Sequence, residues 1–436
     1  MPWTALQIQP SGDFKICCFS SITKENGQSL NHGMAIDENG QVMNILTHSI
    51  VDALNSKYHK EIRLAQSKDE RHPMCKVCWD RDDANKNNNS TNSLRYYRTF
   101  IQLKNVDNAI SMEKAEFMMG EDGSISNIPL SLDLRFTNVC NMQCIMCDSK
   151  YSNQWFKDEL LVNGRDYISY DDKKYKIFEI DGVFKSEMPV WHDSDEWWNQ
   201  FELIKGQIRH LYITGGEPFI VKSHDILLDK LIDAGLAKNI ILEYDTNLTV
   251  INDKIINRLK KFKKVVLSVS CDDVEEQFEL IRYPGKFNIL LENLDKLRQK
   301  NLKIRHLSTC VGIYSLYSPI RLNNYFRKMG INDLFDGNQL DFSFRFLKNP
   351  VGTNIALLPR HLKLKMIDVY QNSNLPNKWK NYLIGYLENN LDTYSEELCI
   401  KSVNDHIIYL DKLDSIRGTN WKKTFPEIVE LLKEHL

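Results

Sequence analysis

Three cysteines within eight residues give this sequence its most evident chemistry. They are Cys140, Cys144 and Cys147, and a loop this short can wrap one metal centre with three thiolates. Three protein ligands leave one metal position open, which is typical of catalytic sites, whereas structural zinc sites are closed. The spacing therefore predicts a catalytic metal loop. A zinc site or a set of reduced structural thiols is the alternative.

A second metal-binding group is predicted nearer the N-terminus. Cys75 and Cys78 form a C-x2-C pair, to which Cys17 or Cys18 would add a third ligand. This spacing suits both zinc and iron–sulfur clusters, so the residues alone leave the metal open. The remaining cysteines are isolated and are interpreted as small buried side chains, with a fourth auxiliary ligand or a hydrogen-atom donor as alternatives: Cys271, Cys310 and Cys399.

The composition limits the class of protein. The 436 residues predict two or three structural units, and the 42% hydrophobic content is enough for a large core. The net charge of −2 gives no overall nucleic-acid-binding footprint. The sequence shows no N-terminal signal segment and no long uncharged apolar run, which predicts a cytoplasmic protein. Disulfides are rare in that compartment, so clustered cysteines favour metal binding.

The elements that position the cysteine loop form a repeated strand-then-helix pattern. The loop directly follows an alternating apolar segment, and loops at strand ends carry the chemistry of α/β folds. Strands that alternate with helices indicate a parallel sheet, and six of them would form an open, partial barrel where eight would close one. The predicted strands are Ser131–Thr137, Ile208–Thr214, Ile240–Thr246, Lys264–Ser270, Leu302–Thr309 and Asp341–Leu347.

Glycine and polar residues follow several of these strands. Gly215-Gly216-Glu217-Pro218 follows the second, and its glycines let a ligand approach the backbone closely. Asn247 follows the third strand. Ser268 and Ser270 share one face of the fourth because strand side chains alternate, and they bond either a ligand or the backbone. Arg282 carries a guanidinium suited to a carboxylate ligand, with a surface salt bridge as the alternative.

Together these motifs resemble those of the radical S-adenosylmethionine (SAM) enzymes. The loop is similar to their C-x3-C-x2-C signature, with an apolar residue, Met146, before the last cysteine. Gly215–Pro218 is similar to the family's GGEP motif. Arg282, Gly285 and Phe287 match its Arg-x-x-Gly-x-Phe pattern.

The resemblance implies a partial (βα)6 TIM barrel over residues 128–350 that binds a [4Fe–4S] cluster and SAM. The three loop cysteines would hold the cluster, and its unligated iron would bind the amino and carboxylate groups of SAM. The implied reaction cleaves SAM reductively to a 5′-deoxyadenosyl radical, which abstracts hydrogen from a substrate. The implied cofactor-binding residues are Met146, Gly215, Gly216, Glu217, Pro218, Asn247, Ser268, Ser270 and Arg282.

Two of these positions carry specific expectations. Arg282 is the candidate for the SAM carboxylate, since a guanidinium can clamp it with two hydrogen bonds. Asn247 is expected near SAM, but Leu248 stands where relatives usually have glycine. That departure puts the geometry of Asn247 in question.

The N-terminal segment resembles a small auxiliary-cluster module, the twitch domain, which is a shortened relative of the SPASM domain. The matching elements are Gly12-Asp13, Cys17-Cys18, and Cys75-x2-Cys78 followed by Trp79 and Asp80. The resemblance implies an auxiliary iron–sulfur cluster within residues 1–127, ahead of the barrel, whereas in many relatives the module follows it. Local patterns predict a helix over Thr47–Ser67, a solvated loop over Ala84–Ser93 and a short helix over Ser111–Met119.

Two further segments accompany the barrel. Residues 149–206 are rich in tyrosine and tryptophan and are interpreted as a packing appendage, with a roof over the active site as the alternative. Residues 351–436 are predicted to form a helical C-terminal extension.

The substrate has three candidate classes. A peptide or protein is the first hypothesis, because twitch and SPASM relatives often act on peptides. A small metabolite, a nucleotide or a base in nucleic acid is the second, and the near-neutral charge disfavours nucleic acid. A non-catalytic iron–sulfur or zinc protein is the third. For the first two hypotheses, in which the protein is an enzyme, the predicted electron donor is a reductase such as flavodoxin or ferredoxin.

Overall fold

The computed structural model describes residues 3–23, 29–87, 119–126, 130–170, 173–350 and 352–436. The predicted helix Ser111–Met119, apart from its last residue, and most of the predicted loop Ala84–Ser93 lie outside these ranges. Residues 84–87 belong to the helix Lys76–Asn87, so any loop begins later than predicted.

The described residues contain three sheets. In chain order the strands are β1 (Ala5–Ile8), β2 (Phe14–Lys15), β3 (Ile22–Thr23), β4 (Ser29–Asn31), β5 (Leu130–Leu134), β6 (Tyr167–Tyr170), β7 (Lys173–Ile180), β8 (Val183–Ser186), β9 (Ile208–Ile213), β10 (Ile241–Thr246), β11 (Lys264–Ser270), β12 (His306–Val311) and β13 (Phe342–Phe346). The largest sheet has the strand order β13-β12-β11-β10-β9-β5-β1-β2.

The six predicted barrel strands are present and pair in parallel as an open sheet. β5 pairs with β9, and the pairing continues through β10, β11 and β12 to β13. This confirms the partial barrel. One strand was placed too early in the sequence: β12 begins at His306 rather than Leu302. Asn301 has a φ of +53°, so the chain is still turning out of the preceding helix at that point.

The N-terminal strand β1 extends the barrel sheet, which the sequence did not predict. It pairs in parallel with β5, with Leu6 opposite Leu132 and Ile8 opposite Leu134. β2 then adds in antiparallel fashion to β1. The sheet therefore has eight strands rather than six.

Helices cover the outer face of the sheet, contribute to the N-terminal region and form the C-terminal extension. In the helix Phe287–Gln299, Leu290, Leu294 and Leu297 recur at helical spacing and are buried against the core. The α-helices are α1 (Ile50–Leu54), α2 (Lys57–Ser67), α3 (Lys76–Asn87), α4 (Phe156–Asn163), α5 (Asp195–Ile204), α6 (Lys222–Asp233), α7 (Asp253–Leu259), α8 (Glu275–Ile281), α9 (Phe287–Gln299), α10 (Ser318–Met329), α11 (Arg360–Gln371), α12 (Asn377–Glu388), α13 (Glu396–Arg417), α14 (Trp421–Thr424) and α15 (Pro426–Leu431).

The predicted helix Thr47–Ser67 is divided into α1 and α2. The break falls at Asn55, whose side-chain nitrogen donates to the carbonyl of Ile125 at 3.0 Å and whose side-chain oxygen accepts from the Ile125 N–H at 2.9 Å. An asparagine that bonds to backbone in this way competes with helix formation.

The aromatic-rich segment 149–206 packs the barrel against the N-terminal region. It contains the antiparallel sheet β6-β7-β8 together with α4 and α5. Trp191 is fully buried, stacks on Phe136 beyond β5 with ring centroids 5.7 Å apart, and donates to the carbonyl of Pro10 at 3.2 Å. The aromatic rings of this segment therefore form core contacts between parts of the chain that are distant in sequence.

The C-terminal residues form the helices α11 to α15. α13 is the longest and returns to the cysteine loop, as described below. Within the described ranges, no helix combines the length and the apolar character needed to cross a membrane.

Candidate functional site

The cysteine loop follows β5 and is pinned to the segment that precedes α9. The N–H of Gln143 donates to the carbonyl of Tyr283 at 2.5 Å, and the N–H of Ile145 donates to the carbonyl of Ile281 at 2.8 Å. The loop therefore runs beside residues 281–283, which brings Cys144 next to Arg282.

Side chains from two other parts of the chain hold the loop carbonyls. Trp155 Nε1 donates to the carbonyl of Cys144 at 3.1 Å, and Ser152 Oγ donates to that of Met142 at 2.6 Å. The hydroxyl of Tyr409, on α13, donates to the carbonyl of Ile145 at 2.6 Å. Sequence reasoning missed these three residues, because no local pattern links them to the cysteines.

The three loop thiols are neighbours, of which Cys144 is buried and Cys140 and Cys147 are half-buried. Burial raises the pKa of Cys140 to about 12 and raises the pKa of Cys144 and of Cys147 above the ordinary thiol value. The nearby Cys144 adds to the shift at Cys140 and at Cys147. Cysteines bind a metal as thiolates, and a raised pKa disfavours the thiolate. The positive charge of a bound metal centre would offset this effect and stabilise the three thiolates.

The donor set fits an iron–sulfur cluster. Three soft sulfur ligands suit iron–sulfur chemistry. Polar hydrogens also approach two of the sulfurs: Asn247 Nδ2 lies 4.0 Å from Cys140 Sγ, and Arg282 Nη1 lies 3.9 Å from Cys144 Sγ. In the described part of the chain no group of three Cys, His, Asp or Glu side chains is arranged to hold a metal ion. Met146 packs, partly buried, against the main core.

The glycine turn after β9 docks onto the chain just before Cys140. The N–H of Gly216 donates to the carbonyl of Thr137 at 3.0 Å, and that of Glu217 donates to the carbonyl of Val139 at 2.9 Å. A Cβ at Gly216 would lie 2.0 Å from the Val139 oxygen, so the approach requires glycine.

Glu217 ties this turn to the end of β10. Its carboxylate accepts from Thr246 Oγ1 at 2.7 Å, from the N–H of Asn247 at 2.8 Å and from the N–H of Phe219 at 3.2 Å. Burial raises the pKa of Glu217 to about 7, against the opposing effect of these bonds. Pro218 is buried and begins a short 3₁₀ helix. Glu217 therefore holds the site in shape and bonds to protein groups.

Asn247 reaches the cysteine loop despite the leucine that follows it. Its Nδ2 also donates to Asn141 Oδ1 at 3.0 Å, and its Oδ1 accepts from the N–H of Thr249 at 2.9 Å. Leu248 has a φ of +53°, in the left-handed region that usually favours glycine. The side chain of Leu248 is fully buried, so core packing holds leucine in the conformation that glycine adopts more readily.

The remaining predicted residues lie on and after β11. Ser268 is buried on the inner face of the sheet and lines the cavity described below, and Ser270 follows on the same face. Arg282 is buried, and its Nε lies 2.8 Å from Oδ2 of Asp272, which is fully buried. The alternative given for Arg282, a surface salt bridge, is wrong because this ion pair is buried. Two of the guanidinium nitrogens face protein groups, Asp272 and the Cys144 sulfur.

The N-terminal cysteines come from three short elements. Cys17 and Cys75 both border a small apolar cluster formed by Ile16, Ile62 and Met74. Cys78 lies in the first turn of α3, directly after the 3₁₀ helix that contains Cys75. The N–H of Phe19 donates to Cys17 Sγ at 3.5 Å.

A cavity of about 1100 Å³ runs along the inner face of the sheet. Its edges include Cys17 and Cys18 on the N-terminal side and Tyr382 and Tyr386 of α12 on the other. Polar pairs line its floor, such as Tyr212 with Asp245 at 2.5 Å. The cavity is therefore lined both by Cys17 and Cys18 and by polar side chains of the barrel strands.

Two family models match the chain. Residues 134–316 match the radical SAM superfamily. Residues 1–79 match the SPASM iron–sulfur cluster-binding domain. The first match spans the cysteine loop, the GGEP motif and Arg282, and the second spans all four N-terminal cysteines.

Several solved structures are distantly similar. SuiB from Streptococcus suis, bound to S-adenosylmethionine, is 14% identical, with 56% of this chain and 44% of that chain covered and a TM-score of 0.34. The structure of anSMEcpe with bound AdoMet is 16% identical, with 59% of this chain and 60% of that chain covered and a TM-score of 0.35. The methyltransferase TsrM from Kitasatospora setae is 9% identical, with 38% of this chain and 30% of that chain covered and a TM-score of 0.27. The match thus spans less than two thirds of each relative, and likeness at this level carries no argument about function. No curated protein matches the chain.

The two family matches confirm the family and the cofactors that the motifs predicted. The cofactors are a [4Fe–4S] cluster with SAM and an auxiliary iron–sulfur cluster. Residues 134–316 thus form a radical SAM domain, and residues 1–79, ahead of the barrel, form a SPASM-type iron–sulfur domain.

Proposed function

We propose that this protein is an enzyme that cleaves SAM reductively and removes a hydrogen atom from a peptide or protein substrate. The observation that carries the proposal is the assembly at one end of the barrel. There the three loop thiols lie beside the glycine turn, Asn247 and Arg282. The match of residues 134–316 to the radical SAM superfamily supports the same reaction class.

The site residues predicted from the sequence would have different roles. Cys140, Cys144 and Cys147 would hold the [4Fe–4S] cluster, whose chemistry when bound is to pass one electron to SAM and so supply a 5′-deoxyadenosyl radical. The protein's part is to orient and to exclude water. Bonds from Trp155 and Tyr409 fix the loop carbonyls, so the thiols keep one arrangement.

The auxiliary cluster would be held by Cys75, Cys78 and one cysteine of the 17–18 pair. The shared apolar contacts of Cys17 and Cys75 favour Cys17 as that ligand. Cys17 and Cys18 both border the cavity along the barrel interior, so this cluster would lie beside the substrate.

A peptide is the substrate class that suits the cavity best. Its volume of about 1100 Å³ is at the upper limit of pockets that enclose small ligands. The walls mix charged groups, such as Asp133 and Arg135, with the aromatic side chains of Tyr382 and Tyr386. Such a lining can hold both the polar backbone and the side chains of an extended segment. A flavodoxin or ferredoxin would supply the electron.

The test begins with anaerobic reconstitution. Wild-type protein treated with iron and sulfide should show iron–sulfur absorption, and with dithionite it should convert SAM to 5′-deoxyadenosine. Cys144→Ala should lose SAM cleavage. Cys399→Ala is the matched control, because it removes a buried cysteine on α13 outside both groups, and it should keep full activity. SAM cleavage retained by Cys144→Ala, or a wild-type protein that holds only zinc, overturns the proposal.

The substrate class needs a second experiment. Reconstituted enzyme is incubated with SAM and either a peptide library or a set of nucleosides and small metabolites. A mass change in peptides that matches the 5′-deoxyadenosine formed supports the proposal. Turnover that is coupled only to nucleosides or metabolites replaces the peptide by that class and leaves the reaction type unchanged.

A further inference from the structure

Arg282 and Asp272 form a buried ion pair directly behind the cysteine loop. The side chain of Asp272 is 0% exposed and that of Arg282 is 10% exposed, with Nε and Oδ2 2.8 Å apart. Asp272 Oδ1 also accepts from the N–H of Cys310 at 2.6 Å, which anchors the carboxylate to β12. The pair therefore has a fixed position relative to the barrel.

The pair presents its positive member to the loop. Arg282 Nη1 lies 3.9 Å from the sulfur of Cys144, whereas Asp272 is bound through Nε on the other part of the guanidinium. The sulfur of Cys144 therefore faces the cation directly, and the carboxylate of Asp272 lies against another nitrogen of the guanidinium.

A buried charge 3.9 Å from a cluster ligand strongly affects the energy of an electron that is added to the cluster. Coulomb energies grow as the local dielectric falls, and a guanidinium stays charged at any physiological pH. One-electron reduction adds negative charge to a cluster and its thiolates. A cation beside Cys144 therefore favours the reduced form, and an anion favours the oxidised form.

We propose that the Arg282–Asp272 pair sets the reduction potential of the cluster held by Cys140, Cys144 and Cys147, with Arg282 raising it and Asp272 lowering it. This inference rests on the proposed function and gives Arg282 a positioning and electrostatic role. It differs from the carboxylate clamp predicted from the sequence, because the contacts of two guanidinium nitrogens are within the protein.

The experiment is a redox titration of the reconstituted full chain. The fraction of reduced cluster is followed by electron paramagnetic resonance, and the signal that changes on addition of SAM identifies the cluster of the cysteine loop. Arg282→Gln should lower the ratio of reduced to oxidised cluster about tenfold at a fixed potential, a shift of about 59 mV for one electron. Asp272→Asn should raise that ratio by a similar factor. Opposite signs are the distinguishing result, because loss of structure alone would not produce them.

Three further variants keep the test decisive. Arg282→Lys retains the positive charge and should change the ratio less than about threefold, even if the glutamine variant binds its cluster poorly. Arg321 and Asp273 offer a matched control: Asp273 is also 0% exposed, and Arg321 Nε lies 2.8 Å from its Oδ1. Arg321 continues to Glu427 on α15 instead of to the cysteine loop. Arg321→Gln and Asp273→Asn should lower thermal stability and leave the potential unchanged.

The outcomes separate this inference from the proposed function. Shifts of the same sign, equal shifts in the control pair, or no shift in a protein that still cleaves SAM overturn the inference alone. A wild-type protein that takes up no cluster overturns the proposed function and this inference together.

Discussion

The two cysteine groups of this chain are supported by similar contacts that differ in burial. Beside the N-terminal group, Arg71 binds Asp83 through two nitrogen–oxygen contacts of 2.6 and 2.7 Å. The same guanidinium lies 4.7 Å from the ring centre of Trp79, which follows Cys78 directly. The side chains of Arg71 and Asp83 are 51% and 43% exposed.

The cysteine loop of the barrel has the buried counterpart of this arrangement. Arg417, on α13, contacts Asp158 on α4 at 2.9 and 3.0 Å and lies 4.8 Å from the ring centre of Trp155. Here both charged side chains are only 3% exposed.

This difference in burial determines how much each ion pair contributes to stability. Exposed ion pairs contribute about 0–1 kcal/mol, whereas breaking a buried pair by removing one partner costs about 3–5 kcal/mol. The cysteine loop of the barrel is thus supported by a buried ion pair, whereas the ion pair beside the N-terminal group is exposed.

Removing one aspartate from each pair tests the comparison most directly. Asp158→Ala leaves the buried Arg417 without its partner and should lower the free energy of unfolding by about 3–5 kcal/mol. Asp83→Ala should cost about 1 kcal/mol or less. Urea unfolding of the metal-free protein under reducing conditions measures both. Equal losses would show that burial does not distinguish the two groups.

The pH dependence of stability should report the buried carboxylate of Glu217. Its pKa rises from 4.5 to about 7 on folding, so the folded state binds more protons than the unfolded state between these values. Stability from this group is therefore present at low pH and is lost as pH rises through that window, by up to about 3 kcal/mol. Glu217→Gln should flatten the profile between pH 4.5 and pH 7, measured by urea unfolding.

The control for that profile is Glu38→Gln in the N-terminal region. The side chain of Glu38 is 72% exposed and contacts Lys60 at 2.8 Å. This variant should keep the slope of the wild type. A profile that Glu217→Gln leaves unchanged would contradict the role given to that carboxylate.

A glycine next to each cysteine group should respond alike to an added methyl group. A Cβ at Gly216 would lie 2.0 Å from the Val139 oxygen, and one at Gly33 would lie 2.3 Å from the Ser20 oxygen. Alanine at either position should cost about 1–3 kcal/mol and reduce iron uptake at the adjacent group. Gly206→Ala is the control, because no atom lies within 4 Å of its Cβ. Calorimetry and iron analysis that show no difference from the control would refute the close-approach argument.

The smallest expected effect comes from the hydroxyl of Tyr409. Tyr409→Phe removes one hydrogen bond to the carbonyl of Ile145 and should cost about 1 kcal/mol. Tyr370→Phe removes a similar bond, to the carbonyl of Leu316 at 2.6 Å, and should cost as much. Only the first variant should speed loss of the loop cluster in air, followed by visible absorption. Equal rates of loss would show that this bond does not support the loop.

Local sequence patterns predicted the parts of the fold that depend on neighbours in the chain. The barrel strands, and the cysteine loop after the first of them, follow from alternation and spacing. The pairing of β1 with β5 was not predicted, because a short N-terminal strand carries no local sign of its partner. The pairing of Arg282 with Asp272 was not predicted, because the sequence around Arg282 is compatible with a bound carboxylate ligand as well as with an aspartate of the protein.

The contact of Tyr409 with Ile145 joins residues 264 positions apart. During synthesis the cysteines therefore leave the ribosome long before the helix that fixes their loop. Iron offered to the nascent chain would meet thiols on an unfinished scaffold, so the arrangement favours cluster insertion once translation has passed α13.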